Sequence, residues 1–125
     1  MSVLKNIIRE MDFDSLGPGE HGMGLPGVGR ALSNDHFLFL DVRTEQEAEY
    51  LQFPFAMRIP LHELPDRLGE LPRDKCIVPF CSSIFRGAVA YSLLRSEGFD
   101  EVRCGTFGTE DLVTILKPGP LFNMK

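Results

Sequence analysis

The stretch Cys76-Ile77-Val78-Pro79-Phe80-Cys81-Ser82-Ser83-Ile84-Phe85-Arg86-Gly87 decides how this chain is read. Ile77, Val78 and Phe80 make a short apolar strand that runs straight into Cys81. Arg86 follows after four intervening residues, and Ala88–Ser96 carries a helical pattern (Val89, Ala90, Leu93, Leu94) closed by Gly98 beyond its C-cap. A cysteine between a strand end and a helix start sits where backbone N–H groups and the helix dipole stabilise an anion. In open α/β sheets this is also the edge at which ligands bind. An ordinary thiol, with a pKa of about 8.5, is only a few per cent thiolate at neutral pH, and lowering it by ~2 units makes the thiolate the majority form. If the Cys81–Arg86 loop curls with its N–H groups inward, it forms an anion nest, with Arg86 adding a fixed positive charge. Such a nest suits a thiolate and equally a persulfide anion. The alternative is an inert cysteine packed between sheet and helix. Strand, cysteine, Ser82-Ser83, arginine and helix in succession favour the reactive reading.

Outward from this stretch, strands and helices alternate. Phe37–Val42 is a continuous apolar run of the buried parallel type. Thr44-Glu45-Gln46-Glu47 reads as a capping box that opens a short acidic helix. Met57–Ile59 predicts a strand stopped by Pro60. Leu61, Leu64, Leu68 and Leu71 have helical spacing, with Pro65 confined to the first turn or breaking the helix. Val102–Cys104 predicts a last strand, and Glu110–Leu116 a last helix ended by Pro118. This pattern predicts an α/β fold: one domain with a central parallel sheet of about five strands, flanked by helices on both faces. Residues 37–118 form its core and 119–125 a C-terminal tail. Residues 1–36 are a lead-in packed on the same domain, with a short amphipathic helix (Val3, Leu4, Ile7, Ile8, Met11) behind Ser2. Residues 17–29, dense in glycine and proline, read as a loop, with Arg30–Asp35 as a helical turn into the sheet. Two G-x-G-x-x-G matches in that loop follow no strand and open no βαβ unit, so they are accidental.

The 125 residues allow one domain with a real core. A net charge of −5 argues against nucleic acid or an anionic membrane as partner. Cys76, Cys81 and Cys104 are an odd number without a CxxC pair, which argues against a disulfide framework and a zinc site. No segment has the length of a membrane span, and residues 1–11 lack a signal peptide's apolar region. The expectation is a cytoplasmic protein.

With these pieces in place, the chain resembles the rhodanese-like superfamily from about Phe37 to Leu116. Leu40-Asp41-Val42-Arg43 with Glu47 looks like that family's strand-to-helix signature. Phe53-Pro54-Phe55-Ala56-Met57-Arg58-Ile59-Pro60-Leu61 is similar to its I-P-G-A-x-x-I-P-L segment. Cys81–Arg86 falls on its active-site loop, and Gly98-Phe99 with Val102 on its G-[FY]-x-x-V ending. The resemblance implies a sulfurtransferase or persulfide carrier without cofactor. Cys81 would carry sulfane sulfur, the backbone of Ser82, Ser83, Ile84, Phe85 and Arg86 would cradle it, and Arg86 would meet the substrate anion. The implied donor is thiosulfate or a protein persulfide, with a small sulfur-carrier protein as a further partner.

Three departures bear on turnover. Ile84 stands where the family usually has glycine. If that position needs φ > 0, a β-branched residue is strained there by about 1–3 kcal/mol, and thiosulfate turnover is weak. Gln52 and Phe55 replace the usual His and Gly, and Thr106-Phe107-Gly108 replaces the usual Gly-Gly. Two rivals follow: a binding module that has lost turnover, and a Cys-dependent phosphatase, whose loop is C-x5-R where this chain has C-x4-R. Asp41 and Arg43 read as supporting residues that tie loop backbone. Cys76 and Cys104 read as core residues. Glu45, Glu47 and Glu49 read as a solvated helix face. No histidine is spaced as a triad partner for Cys81. Ile84 and Phe85, large and apolar at a loop mouth, point to a docked protein partner.

Overall fold

Side chains alternate between two faces along Phe37–Asp41, and this alternation builds the core. In a computed structural model that describes residues 2–11 and 21–116, Leu38 and Leu40 join one apolar cluster and Phe37 and Phe39 the other. The tail expected over 119–125, Pro118 and residues 17–20 of the glycine-rich stretch lie outside the described residues.

In chain order the elements are α1 (Ser2–Arg9), β1 (Gly22–Met23), α2 (Leu25–Leu32), β2 (Phe37–Asp41), α3 (Glu45–Tyr50), β3 (Met57–Arg58), 3-10 turns at Leu61–Asp66 and Leu68–Glu70, β4 (Cys76–Phe80), α4 (Phe85–Ser96), β5 (Cys104–Gly105) and α5 (Thr109–Leu116). Among the described residues all strand pairings are parallel: β3-β2-β4 form one sheet and β1-β5 another. Among the described residues, one isolated parallel bridge, Ile77 to Val102, links β4 to the chain entering β5. Pro79 explains why the sheet divides. Ile77 donates to the Glu101 carbonyl and accepts from Arg103 N–H, but Pro79, two residues on, has no N–H to give on that side. The last strand therefore falls at Cys104–Gly105 and pairs with β1, one step beyond the expected Val102–Cys104.

One face of the sheet is covered by α4 and the 3-10 turns through Leu64, Ala90, Tyr91 and Leu94, with α1 packed against α4. The other is covered by α2 and α5 through Val28, Ala31 and Leu112. The fold is thus the expected parallel sheet between helical layers.

One local reading is corrected and one open alternative is decided. Residues 22–32, expected as loop and turn, hold β1 and α2. Pro26 falls in the first turn, where a missing N–H costs nothing, and Leu25, Val28 and Leu32 keep helical spacing. Leu61–Leu71, with its helical leucine spacing, forms 3-10 turns because Pro65 stops a continuous α-helix. Thr44 and Glu47 form the capping box, and Gly98 after α4 has φ 89°.

Candidate functional site

Because the strands run parallel, the C-terminal ends of β2 and β4 lie on one edge, and Asp41, Arg43 and Cys81 are gathered there. Cys81 is completely buried: it continues the β4 alternation onto the face of Ile77 and packs in the cluster containing Leu40, Val42, Ala90 and Tyr91. The next four residues, Ser82 to Phe85, are exposed. The loop's side chains face solvent as expected, but its thiol does not. The helix that follows starts three residues earlier than its apolar pattern suggested, at Phe85. Its N-cap residue, Ile84, offers no side-chain acceptor. Among the described residues, no backbone N–H from Ser82 to Gly87 is spent on a protein acceptor.

This close approach of helix and strand depends on Gly87. A Cβ there would meet the Pro79 carbonyl oxygen at 3.1 Å and the Phe80 Cα at 3.3 Å. On the other side, Gly108 allows its loop to press on Ser82. A Cβ there would lie 2.9 Å from the Ser82 carbonyl oxygen, which accepts the Thr109 N–H at 3.2 Å.

Arg86 is held by a residue from another helix. Its Nη1 and Nη2 donate to the two Glu47 oxygens at 2.6 and 2.8 Å, and Nη2 also donates to Ser82 Oγ at 2.9 Å. The pair drives both groups toward charge. The Arg86 bond, outweighing burial, lowers the Glu47 pKa to about 2, and the Glu47 carboxylate raises that of Arg86, with a smaller interaction from Cys81. Glu47 also accepts the Thr44 N–H at 3.0 Å, so one carboxylate closes the capping box of α3 and clamps the arginine beside the cysteine. Sequence reasoning placed Glu47 on a solvated face. Glu45 and Glu49 are exposed, but Glu47 is not simply solvated, because 39 residues downstream the chain brings Arg86 to it. Its N3 position in the capping box was the available signal.

Asp41 and Arg43 form a buried pair. Arg43 donates from Nη2 to Asp41 Oδ2 at 2.8 Å and to the Leu51 carbonyl at 2.7 Å, and stacks over Phe53 at 5.0 Å. They tie the β2–α3 turn to the segment after α3. Cys76 and Cys104 are buried, and burial pushes both thiols up to about 11. They are protonated at neutral pH.

The departures in the family motifs also find places. Ile84 has φ −127° and ψ −28°, and no described non-glycine residue has positive φ. The expected strain is therefore absent, and Ile84 is an exposed apolar side chain at the N-cap of α4. Phe55 and Phe107 belong to the opposite face from Cys81, in a ring cluster with Phe39, Phe53 and Phe80 at centroid spacings from 5.5 to 6.4 Å. Among the described residues no group of three His, Cys, Asp or Glu is placed to hold a metal, and no helix is long and apolar enough to cross a membrane.

The rhodanese-like domain family matches residues 28–113, and the chain belongs to that family. It is 28% identical over 96 residues to a sulfurtransferase of Allochromatium vinosum, covering 77% of this chain and 79% of that one. Among solved structures it resembles the human single-domain sulfurtransferase TSTD1 (TM-score 0.67, 26% identity, 74% of this chain and 95% of that chain). It also resembles reduced CoADR-RHD of Bacillus anthracis (TM-score 0.71, 29% identity), where it covers 82% of this chain and 18% of that one.

Proposed function

We propose that Cys81 accepts a sulfane sulfur and passes it to a thiophilic acceptor, with weak turnover of thiosulfate and better use of a protein persulfide. One observation carries this reading: Cys81 precedes an uncapped helix N-terminus and lies beside an arginine clamped by Glu47. In the first step the Cys81 thiolate attacks the outer sulfur of thiosulfate. The new S–S bond forms as the old one breaks, and sulfite leaves with the bonding pair. The product, Cys81–S–S⁻, places its charge near the free N–H groups at the start of α4 and near Arg86. In the second step an acceptor nucleophile attacks the outer sulfur and Cys81 leaves as thiolate. A protein persulfide enters the same way, with its own thiolate as leaving group.

Cys81 is buried among Leu40, Val42, Ala90 and Tyr91, so a reagent reaches its sulfur only when the surrounding packing opens. That same burial favours a second reading, a binding module of this fold without turnover. Thiocyanate formation from cyanide separates them. The purified protein should form thiocyanate slowly with thiosulfate and faster with a protein persulfide, each above the rate without protein, and Cys81→Ser should not exceed that background. Equal rates in protein and variant would remove the catalytic reading.

A further inference from the structure

The edge that carries Cys81 has an apolar centre and an acidic border. Ile84, Phe85 and Val89 are 45%, 75% and 42% exposed, and Phe85 and Val89 are one turn apart on α4. On one side lies α3, joined to α4 by the Glu47–Arg86 pair and carrying exposed Glu45 and Glu49. On the other lies α5, whose first turn carries exposed Glu110 and Asp111 and begins where Thr109 bonds Ser82.

The cations of this edge are mostly spent. Arg86 is paired with Glu47, Arg43 with Asp41, and Arg67 sits between Glu63 and Glu70. Arg58 lines a small cleft together with Glu45. None of Glu45, Glu49, Glu110 and Asp111 has a cationic partner within ion-pair distance among the described residues.

From this pattern, and resting on the sulfur-carrying role of Cys81, we infer that the site is a docking surface for a protein donor or acceptor. Its partner presents a cysteine beside an apolar side chain within a Lys/Arg-rich face. Surface charge of one sign speeds the encounter with its complement and disfavours like-charged reagents. The border therefore attracts a basic protein and repels thiosulfate, a small dianion. The apolar centre supplies the contact that holds the partner once it has met the site.

Two synthetic cysteine peptides with leucine beside the cysteine, one flanked by lysines and one by glutamates, test this as acceptors. The protein is loaded with polysulfide, freed of excess reagent, and its discharge to each peptide is timed. At low ionic strength the lysine peptide should take sulfur at least ~10-fold faster, and the gap should fall below about twofold near 0.5 M NaCl. Glu49→Lys/Glu110→Lys should shrink or invert the preference. Val89→Ser should slow discharge to the lysine peptide while leaving discharge to cyanide unchanged. Equal rates for the two peptides, or a preference indifferent to salt and to the charge reversals, would overturn the inference. Binding of a labelled lysine peptide carrying serine for cysteine, followed by anisotropy, is independent of sulfur chemistry. Salt-sensitive binding by a protein that takes up no sulfur would sink the transfer reading and leave the docking surface standing. Sulfur uptake without peptide preference would do the reverse.

Discussion

Replacing Glu47 by glutamine keeps the shape of the side chain and leaves an oxygen for the Thr44 N–H, but it removes the charge that clamps Arg86. The structure gives that clamp two short charge-assisted bonds, at 2.6 and 2.8 Å, between side chains 27% and 32% exposed. Partial exposure screens the pair, so Glu47→Gln should cost about 1–2 kcal/mol and lower Tm by about 3–8 °C. Glu47→Ala loses the capping box as well and should cost about 1 kcal/mol more. The pH dependence has a definite sign. The folded-state pKa of Glu47, about 2, lies below the ordinary 4.5, so its stabilisation is complete above about 4.5 and is lost as pH falls through about 2. Urea midpoints of protein and Glu47→Gln should therefore differ most near neutrality and converge on acidification. Sulfur loading of Cys81 should slow in the variant, because a released arginine no longer holds its place beside the thiol. A Glu47→Gln protein as stable as the parent, or a gap that stays constant down to about pH 2.5, would refute this reasoning.

Other substitutions probe other parts of the account. Asp41→Asn leaves Arg43 buried without its anion and should cost about 3–5 kcal/mol in urea unfolding. Gly108→Ala puts a Cβ 2.9 Å from the Ser82 carbonyl oxygen, so the cysteine loop must shift. It should lose about 1–3 kcal/mol and expose Cys81 to faster alkylation. Gly29→Ala, on α2 with open space around it, should instead gain about 0.5–1 kcal/mol. Ile84→Gly removes bulk without relieving strain and should speed iodoacetamide labelling of Cys81 by ~10-fold through a looser loop, as followed by mass spectrometry.

The fold was legible because its signals are local and repeated. The apolar runs at Phe37 and Ile77, the Thr44 box and Gly98 each state an element or a boundary within a few residues. Less legible were features set by partners distant in sequence. The two residues of β1 carry no period and become a strand only because β5 pairs with them. Pro79 divides the sheet only because its missing N–H would have faced the last strand. At the site, the cysteine loop and the Asp41–Arg43 pair could be read from residue type and position. The Glu47–Arg86 clamp could not, since its partners are 39 residues apart. The strain expected at Ile84 was inferred from what other sequences place there, and the backbone at φ −127° removes it. Burial of the Cys81 thiol follows from strand alternation carried one residue past β4, a rule that the sequence reading did not extend into the loop.

The central claim, that Cys81 carries the transferable sulfur, is tested most directly by intact-mass spectrometry after exposure to glutathione persulfide. The account expects one added sulfur atom per chain, removed by cyanide, absent in Cys81→Ser and unchanged in Cys76→Ser and Cys104→Ser. A sulfur adduct that survives in Cys81→Ser, or no adduct on the unaltered protein, would contradict it.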